Sequence, residues 1–230
     1  MHMKLTELSY PIGIDIPVYP TNPSEKYYFE SDMNNGDPAN TSTALHHMHN
    51  GSHVDAPLHF SKGGPDIMSI PIDDFYYTAP YLMSVPKKKG ELITLEDLKA
   101  KEEEIKKADI LLLYVHYADV REDKSVFLDD FPALSREGAM YLRTSFPKLK
   151  AVAIDVISIE SATAGAPNNF PVHHALLDNV DSGNAPLLVY EDINLKAYSE
   201  IRGKVLAISA FPIRWLGAEA GPVSVVAFSE

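Results

Sequence analysis

The sequence predicts an α/β fold, a mixed sheet or partly closed barrel flanked by helices, and three observations predict it. Runs such as Ile110-Leu111-Leu112-Leu113-Tyr114-Val115 are apolar at every position, as in strands covered on both faces. Strand patterns outnumber helix patterns and alternate with them. The chain has 230 residues and is 45% hydrophobic, enough to bury a sizeable core within one domain spanning 1–230.

The elements follow in order. Pro11, Pro17, Pro20 and Pro23 break the first thirty residues into short extended pieces, read as loop and edge strand. Tyr81 to Val85 reads as a strand. Thr94 begins a helix through Lys107, with Asp97 at the capping-box position and Lys and Glu residues forming a solvated face. The strand from Ile110 to Val115 comes next, then a helix from Arg136 to Phe146 that Pro147 stops. Ala151 to Ile157 and Pro186 to Tyr190 are further buried strands, and Lys204 to Ser209 and Val223 to Phe228 complete the set. There is no internal repeat and no low-complexity tract.

The formal net charge of −12 argues against nucleic acid or an anionic membrane as partner and favours neutral or cationic small-molecule substrates. The N-terminal residues lack a basic stretch followed by an apolar one, and no run approaches eighteen apolar residues, so a soluble cytoplasmic protein is expected. With no cysteine there is no disulfide framework, and the commonest structural-zinc ligand is missing.

Five of the nine histidines lie between His46 and His59. In His49-Asn50-Gly51-Ser52-His53-Val54-Asp55-Ala56-Pro57-Leu58-His59-Phe60, three histidines and an aspartate occupy odd positions and share one face of an extended strand. Imidazole and carboxylate form a donor set that zinc, manganese or ferrous iron accepts. At roughly 3.3 Å per residue a straight strand would hold His49 about 13 Å from His53. Asn50-Gly51 therefore has to turn the chain back, and Pro57 stiffens the segment before His59. A second cluster, Phe170-Pro171-Val172-His173-His174, precedes Glu191 at the end of a buried strand, where α/β proteins place reactive groups. The adjacent His46, His47 and His174 leave the ligand register open.

The motif from His49 to Phe60 resembles the signature of the metal-dependent cyclase/hydrolase family that includes bacterial kynurenine formamidase and isatin hydrolase. Leu5-Thr6-Glu7-Leu8 with Pro17-Val18-Tyr19-Pro20, the strand Ile154 to Ile159, His173 to Leu177 with Leu188 to Ile193, and Leu216 to Val223 resemble further stretches of that family. The resemblance implies a swivelling β/β/α domain, assembled as a homodimer or homotetramer. It implies a divalent metal, zinc first and manganese second, as one or two ions. His49, His53 and Asp55 match the first metal ligands, and Asp55, His173 and Glu191 match those of a second ion. His59 matches the general acid/base. Ser52 stands where the family usually has threonine, and Asp178 to Asn184 lengthen the interval before Glu191.

The implied chemistry is hydrolysis of an amide, lactam or ester, with metal-activated water attacking the carbonyl and His59 either protonating the leaving atom or serving as one more ligand. Kynurenine formamidase-like activity is the leading expectation and isatin hydrolase-like activity the alternative. Tyr19, Phe60 and Trp215 are the substrate-binding candidates among the aromatic residues, which also include Phe75, Tyr76, Tyr77 and Phe170. A noncatalytic metal-binding protein and a ferrous oxygenase are readings from other classes. The oxygenase is disfavoured because no Arg or Lys lies between His174 and Lys196.

Overall fold

The structure, a computed structural model, describes residues 3–178 and 184–230. Met1, His2 and residues 179–183, the middle of the interval before Glu191, lie outside the described residues. In chain order the strands are β1 (Lys4–Glu7), β2 (Lys26–Ser31), β3 (Thr41–Leu45), β4 (His53–Asp55), β5 (Tyr76–Tyr77), β6 (Pro80–Ser84), β7 (Leu92–Ile93), β8 (Ile110–Tyr114), β9 (Ala133–Leu134), β10 (Ala151–Ile154), β11 (Leu188–Glu191), β12 (Val205–Pro212) and β13 (Ala220–Ser229). The helices are α1 (Leu95–Lys99), α2 (Glu102–Ile105), α3 (Lys124–Phe127), α4 (Arg136–Ser145), α5 (Pro171–Leu177) and α6 (Leu195–Ser199).

The main sheet runs β5-β12-β13-β4-β11-β10-β8-β6, with β1 added antiparallel to β13. Parallel pairing joins β6, β8, β10 and β11, and antiparallel pairing joins the rest, so the sheet is mixed. Its two edge strands, β5 and β6, are consecutive in the chain. The sheet curls until those edges meet, leaving one seam in a nearly closed barrel. At the seam the Asp109 carboxylate accepts from the Thr78 and Ala79 amides at 2.7 and 3.0 Å.

The uniformly apolar strands owe their pattern to this wrapping. Ile110, Leu112, Ala153 and Tyr190 face the barrel interior with Val54, Tyr77 and Val225. Leu111, Leu113, Val152 and Val189 face outward under α4 and α5 with Leu142, Val172 and Leu176. Both faces are dry, so no polar alternation is needed.

Two local expectations are corrected. The helix expected from Thr94 to Lys107 is two short helices: Thr94 and Asp97 form the capping box of α1, and Lys101 leaves helical geometry before α2. The run from His49 to His59 is not one extended strand. Only His53–Asp55 is β, and Pro57–His59 is a 3-10 turn, because Pro57 supplies a preset φ at its start. The stretch holding Pro11 to Pro23 forms turns and no strand; the extended pieces lie on either side of it, β1 paired with β13 and β2 paired with β3 as a separate hairpin.

Candidate metal centre

The short strand β4 lies between β11 and β13 and brings His53 opposite Glu191 and Asp55 opposite Val189. Gly51, at φ +65°, makes the turn that the Asn50-Gly51 dipeptide predicts. It returns His49 to the cluster, so that His49 Nδ1 stands 2.9 Å from Asp55 Oδ1. The 3-10 turn at the other end folds His59 over His49, with ring centroids 4.1 Å apart and the planes nearly parallel. Helix α5 supplies His173, whose Nε2 is 3.3 Å from Glu191 Oε1 and 3.6 Å from Asp55 Oδ2. His53 Nε2 is 3.5 Å from Asp55 Oδ1 and 3.4 Å from Glu191 Oε2.

Among the described residues two donor sets emerge, His49 with Asp55 and His59, and His53 with Asp55 and Glu191. Asp55 belongs to both, as expected of a bridging carboxylate. The grouping differs from the one implied by the resemblance, because His53 shares a set with Glu191 while His49 shares one with His59. His173 touches both carboxylates. Of the neighbouring histidines, His46 Nδ1 turns to Glu25 at 2.8 Å and His174 Nδ1 to Asp178 at 3.3 Å, while His47 lines the cavity beside His49.

The residues present fit a divalent cation. Asp55 and Glu191 are buried carboxylates held close together, which is costly unless positive charge lies between them. Neither Asp55 carboxylate oxygen has a directional hydrogen bond, despite the short approach of His49, and His53 Nε2 has none either. The Gly51 carbonyl accepts from His53 Nδ1 at 2.8 Å. A neutral His53 therefore carries its proton on Nδ1 and turns the Nε2 lone pair into the centre.

Without a cation, imidazolium protons take over the balancing. Burial opposes protonation of His49, but the nearby Asp55 charge and the contact with Glu219 outweigh it and hold the group up to about 10. His173 is held at about 10 against burial by Glu160 and Glu191. Burial likewise raises Glu191, yet His173 and His53 hold it down to about 2. Asp55 is pushed far below the ordinary carboxylate range by the surrounding imidazoles, against its own burial. His59 behaves differently, since burial dominates and lowers it to about 4.

The centre opens into a cavity of about 400 Å³ lined by Tyr19, His59, Phe60, Phe170 and Glu219 among others. Phe60 stacks on His173 with centroids 4.7 Å apart. Trp215 is not part of this cavity. It lies in the connection between β12 and β13 and lines a separate groove of about 770 Å³ with Ile12, Leu45 and Met48. Phe75 and Tyr77 are core residues.

Two participants were not legible as such. Glu219 Oε1 lies 3.2 Å from His49 Nε2 and opens onto the cavity; its only sequence signal is its place just before Gly221-Pro222. Buried Glu160 accepts from the Val172 and His173 amides at 2.9 and 3.2 Å and faces His173 Nδ1 at 3.4 Å. It thereby caps α5, whose own N-cap residue, Phe170, offers no polar side chain.

A family model described as putative cyclase matches residues 6–161. The chain is 24% identical over 223 residues to the kynurenine formamidase of Bordetella petrii, covering 97% of each. Isatin hydrolase A from Ralstonia solanacearum superposes with a TM-score of 0.81 at 17% identity, over 99% of this chain and 92% of that one. A predicted metal-dependent hydrolase from Bacillus stearothermophilus superposes with a TM-score of 0.75 at 24% identity, over the full length of both. At these identities the structural likeness establishes the fold.

Proposed function

Because the chain belongs to the putative cyclase family, we propose that it is a metal-dependent hydrolase opening an amide, lactam or ester bond in a small aromatic substrate, with kynurenine formamidase-like activity. The observation carrying this reading is the set of buried, unsatisfied donor atoms on Asp55 and His53, within reach of Glu191, His49 and His173. His49, His53, Asp55, His173 and Glu191 would hold a divalent ion, with zinc first and manganese second. Such an ion supplies Lewis acidity, which makes water nucleophilic near neutral pH and polarises a carbonyl.

The protein's own groups account for the remaining chemistry. His59 is neutral at pH 7, since burial lowers it to about 4, and it faces the cavity. It is poised to take a proton from the attacking water and return it to the leaving nitrogen as the carbon–nitrogen bond breaks. Its presence in one donor set makes ligation the competing role. Tyr19 and Phe60, with Phe170, wall the cavity with flat apolar surface suited to an aryl ring. Glu219 at the mouth would repel an anionic group there.

The same reading takes residues 1–230 as one cytoplasmic unit acting on a small molecule. It also takes the chain as a homodimer or homotetramer, which light scattering in solution would test. Among the described residues no helix is long and apolar enough to cross a membrane.

The test is elemental analysis of untagged protein combined with spectrophotometric assays on N-formylkynurenine and isatin. Bound zinc or manganese with turnover of N-formylkynurenine is the expected result. Turnover of isatin alone would move the protein to lactam opening, bound metal without turnover of either would favour a noncatalytic metal-binding protein, and failure to bind metal after reconstitution would overturn the reading.

A further inference from the structure

We propose that the buried ion pair between Arg121 and Asp192 is a positioning device for the metal centre, pinning the strand end that carries Glu191 against the strand that carries His53. The proposal rests on the metal-centre reading above. Asp192 directly follows Glu191, is fully buried and adopts φ +53°, a left-handed conformation uncommon outside glycine but one that aspartate enters more readily than most. Every polar group it has is engaged. Its amide donates to the Val156 carbonyl at 2.8 Å, and its carbonyl accepts from Ser52 Oγ at 2.6 Å. Its two carboxylate oxygens accept from Arg121 Nε and Nη2 at 2.7 and 2.6 Å.

These contacts close into a ring. The Arg121 guanidinium lies over the Tyr10 ring, 3.7 Å from its centroid, and the Tyr10 amide donates to Ser52 Oγ at 2.9 Å. Ser52 directly precedes His53, and Asp192 directly follows Glu191. His53 and Glu191 are partners across the antiparallel β4–β11 register. The ring thus staples the two strands at the row where their side chains meet.

Stability alone is a poor reason for this construction. A well-packed apolar pair commonly matches or exceeds a buried ion pair, whose desolvation cancels much of its attraction. An apolar pair, however, could neither hold residue 192 in the left-handed region nor accept in two fixed directions. What the bidentate pair adds is orientation, and the side chain nearest to the oriented backbone is that of Glu191.

Three proteins test this: the wild type, Ser52→Ala, and the double variant Arg121→Met with Asp192→Asn. The double variant removes both charges together, Met fills the guanidinium's volume, and Asn tolerates the left-handed conformation. The readouts are Co²⁺ affinity by titration, the visible absorption spectrum of the Co²⁺-loaded protein, and thermal unfolding of the metal-free protein. With metal-free melting close to wild type, the double variant is expected to bind Co²⁺ roughly 10- to 100-fold more weakly, with an altered spectrum. Ser52→Ala, which keeps the ion pair and is the milder change, is expected to weaken binding a few-fold. Wild-type affinity and spectrum in both variants would overturn the proposal and leave the pair a purely structural contact. If the double variant fails to fold, Arg121→Lys, which keeps the charge but loses the bidentate fork, decides by the same criterion. A wild-type protein that binds no Co²⁺ would overturn the metal-centre reading itself, an outcome distinct from unchanged binding in the variants.

Discussion

Two hollows of the molecule contrast, and the larger of the pair is not the chemical one. The groove beside Trp215 holds about 770 Å³ and is walled by Ile12, Ile14, Leu45, Met48 and Ile213, with Glu25 and His46 paired at 2.8 Å at its polar end. The cavity over Asp55 holds about 400 Å³ and gathers carboxylates and imidazoles whose atoms leave one another unsatisfied. Apolar volume marks where something can be buried. Buried charge lacking directional partners marks where a cation and a reaction belong, because a fold keeps such an expense only when a ligand offsets it.

The contrast is broken most severely at Asp55. Asp55→Ala is expected to abolish metal binding and turnover together, since both donor sets lose their shared carboxylate; full metal stoichiometry by elemental analysis would refute the assignment. His59→Ala should keep its metal and lose about 10² to 10⁴ in kcat. A variant that loses the ion instead would place His59 among the ligands.

A third expectation concerns pH. The imidazoles of His49 and His173 are held protonated up to about 10 in the metal-free protein, and a metal must displace those protons. Metal affinity should therefore rise with pH between about 6 and 9, with proton release countable by calorimetry in buffers of different ionisation enthalpy. Affinity independent of pH would remove these two residues from the ligand set. For the metal-free fold the sign is opposite. These histidines have folded pKa values raised above the unfolded value, so their stabilisation is complete below about 6.5 and fades as pH rises through about 10. Urea unfolding of metal-free protein at pH 6 and pH 9 would register the difference.

The smallest effect is expected in the groove. Trp215→Ala should change metal affinity and kcat by less than about twofold, because Trp215 is half exposed and lines a different hollow. A loss of turnover larger than that would show that the two hollows communicate.

Much of the scaffold was legible because its causes are local. Ile110 to Tyr114 is apolar at each position, and an element covered on both faces has to be; the capping box at Thr94 and Asp97 forms within one turn. The clustering of imidazoles and carboxylate around β4 was legible for the same reason, since Gly51 permits the turn and these residues are close in sequence. The helix after Thr94 failed at its far end, where nothing in its charged sequence signals the break at Lys101.

By itself the sequence determined which segments become buried strands, which imidazoles and carboxylate gather around β4, and where the chain turns back, because propensity, apolar pattern and turn chemistry act over a few residues. Tertiary structure alone decided the company those residues keep. Glu219 reaches His49 across 170 positions and Glu160 reaches His173 across 13. His59 stacks on His49 through a 3-10 turn rather than along a strand, and Trp215, in the β12–β13 connection, lines a different hollow. Those outcomes depend on how a closed sheet brings distant strand ends to one place, and a through-space distance leaves no trace in local sequence.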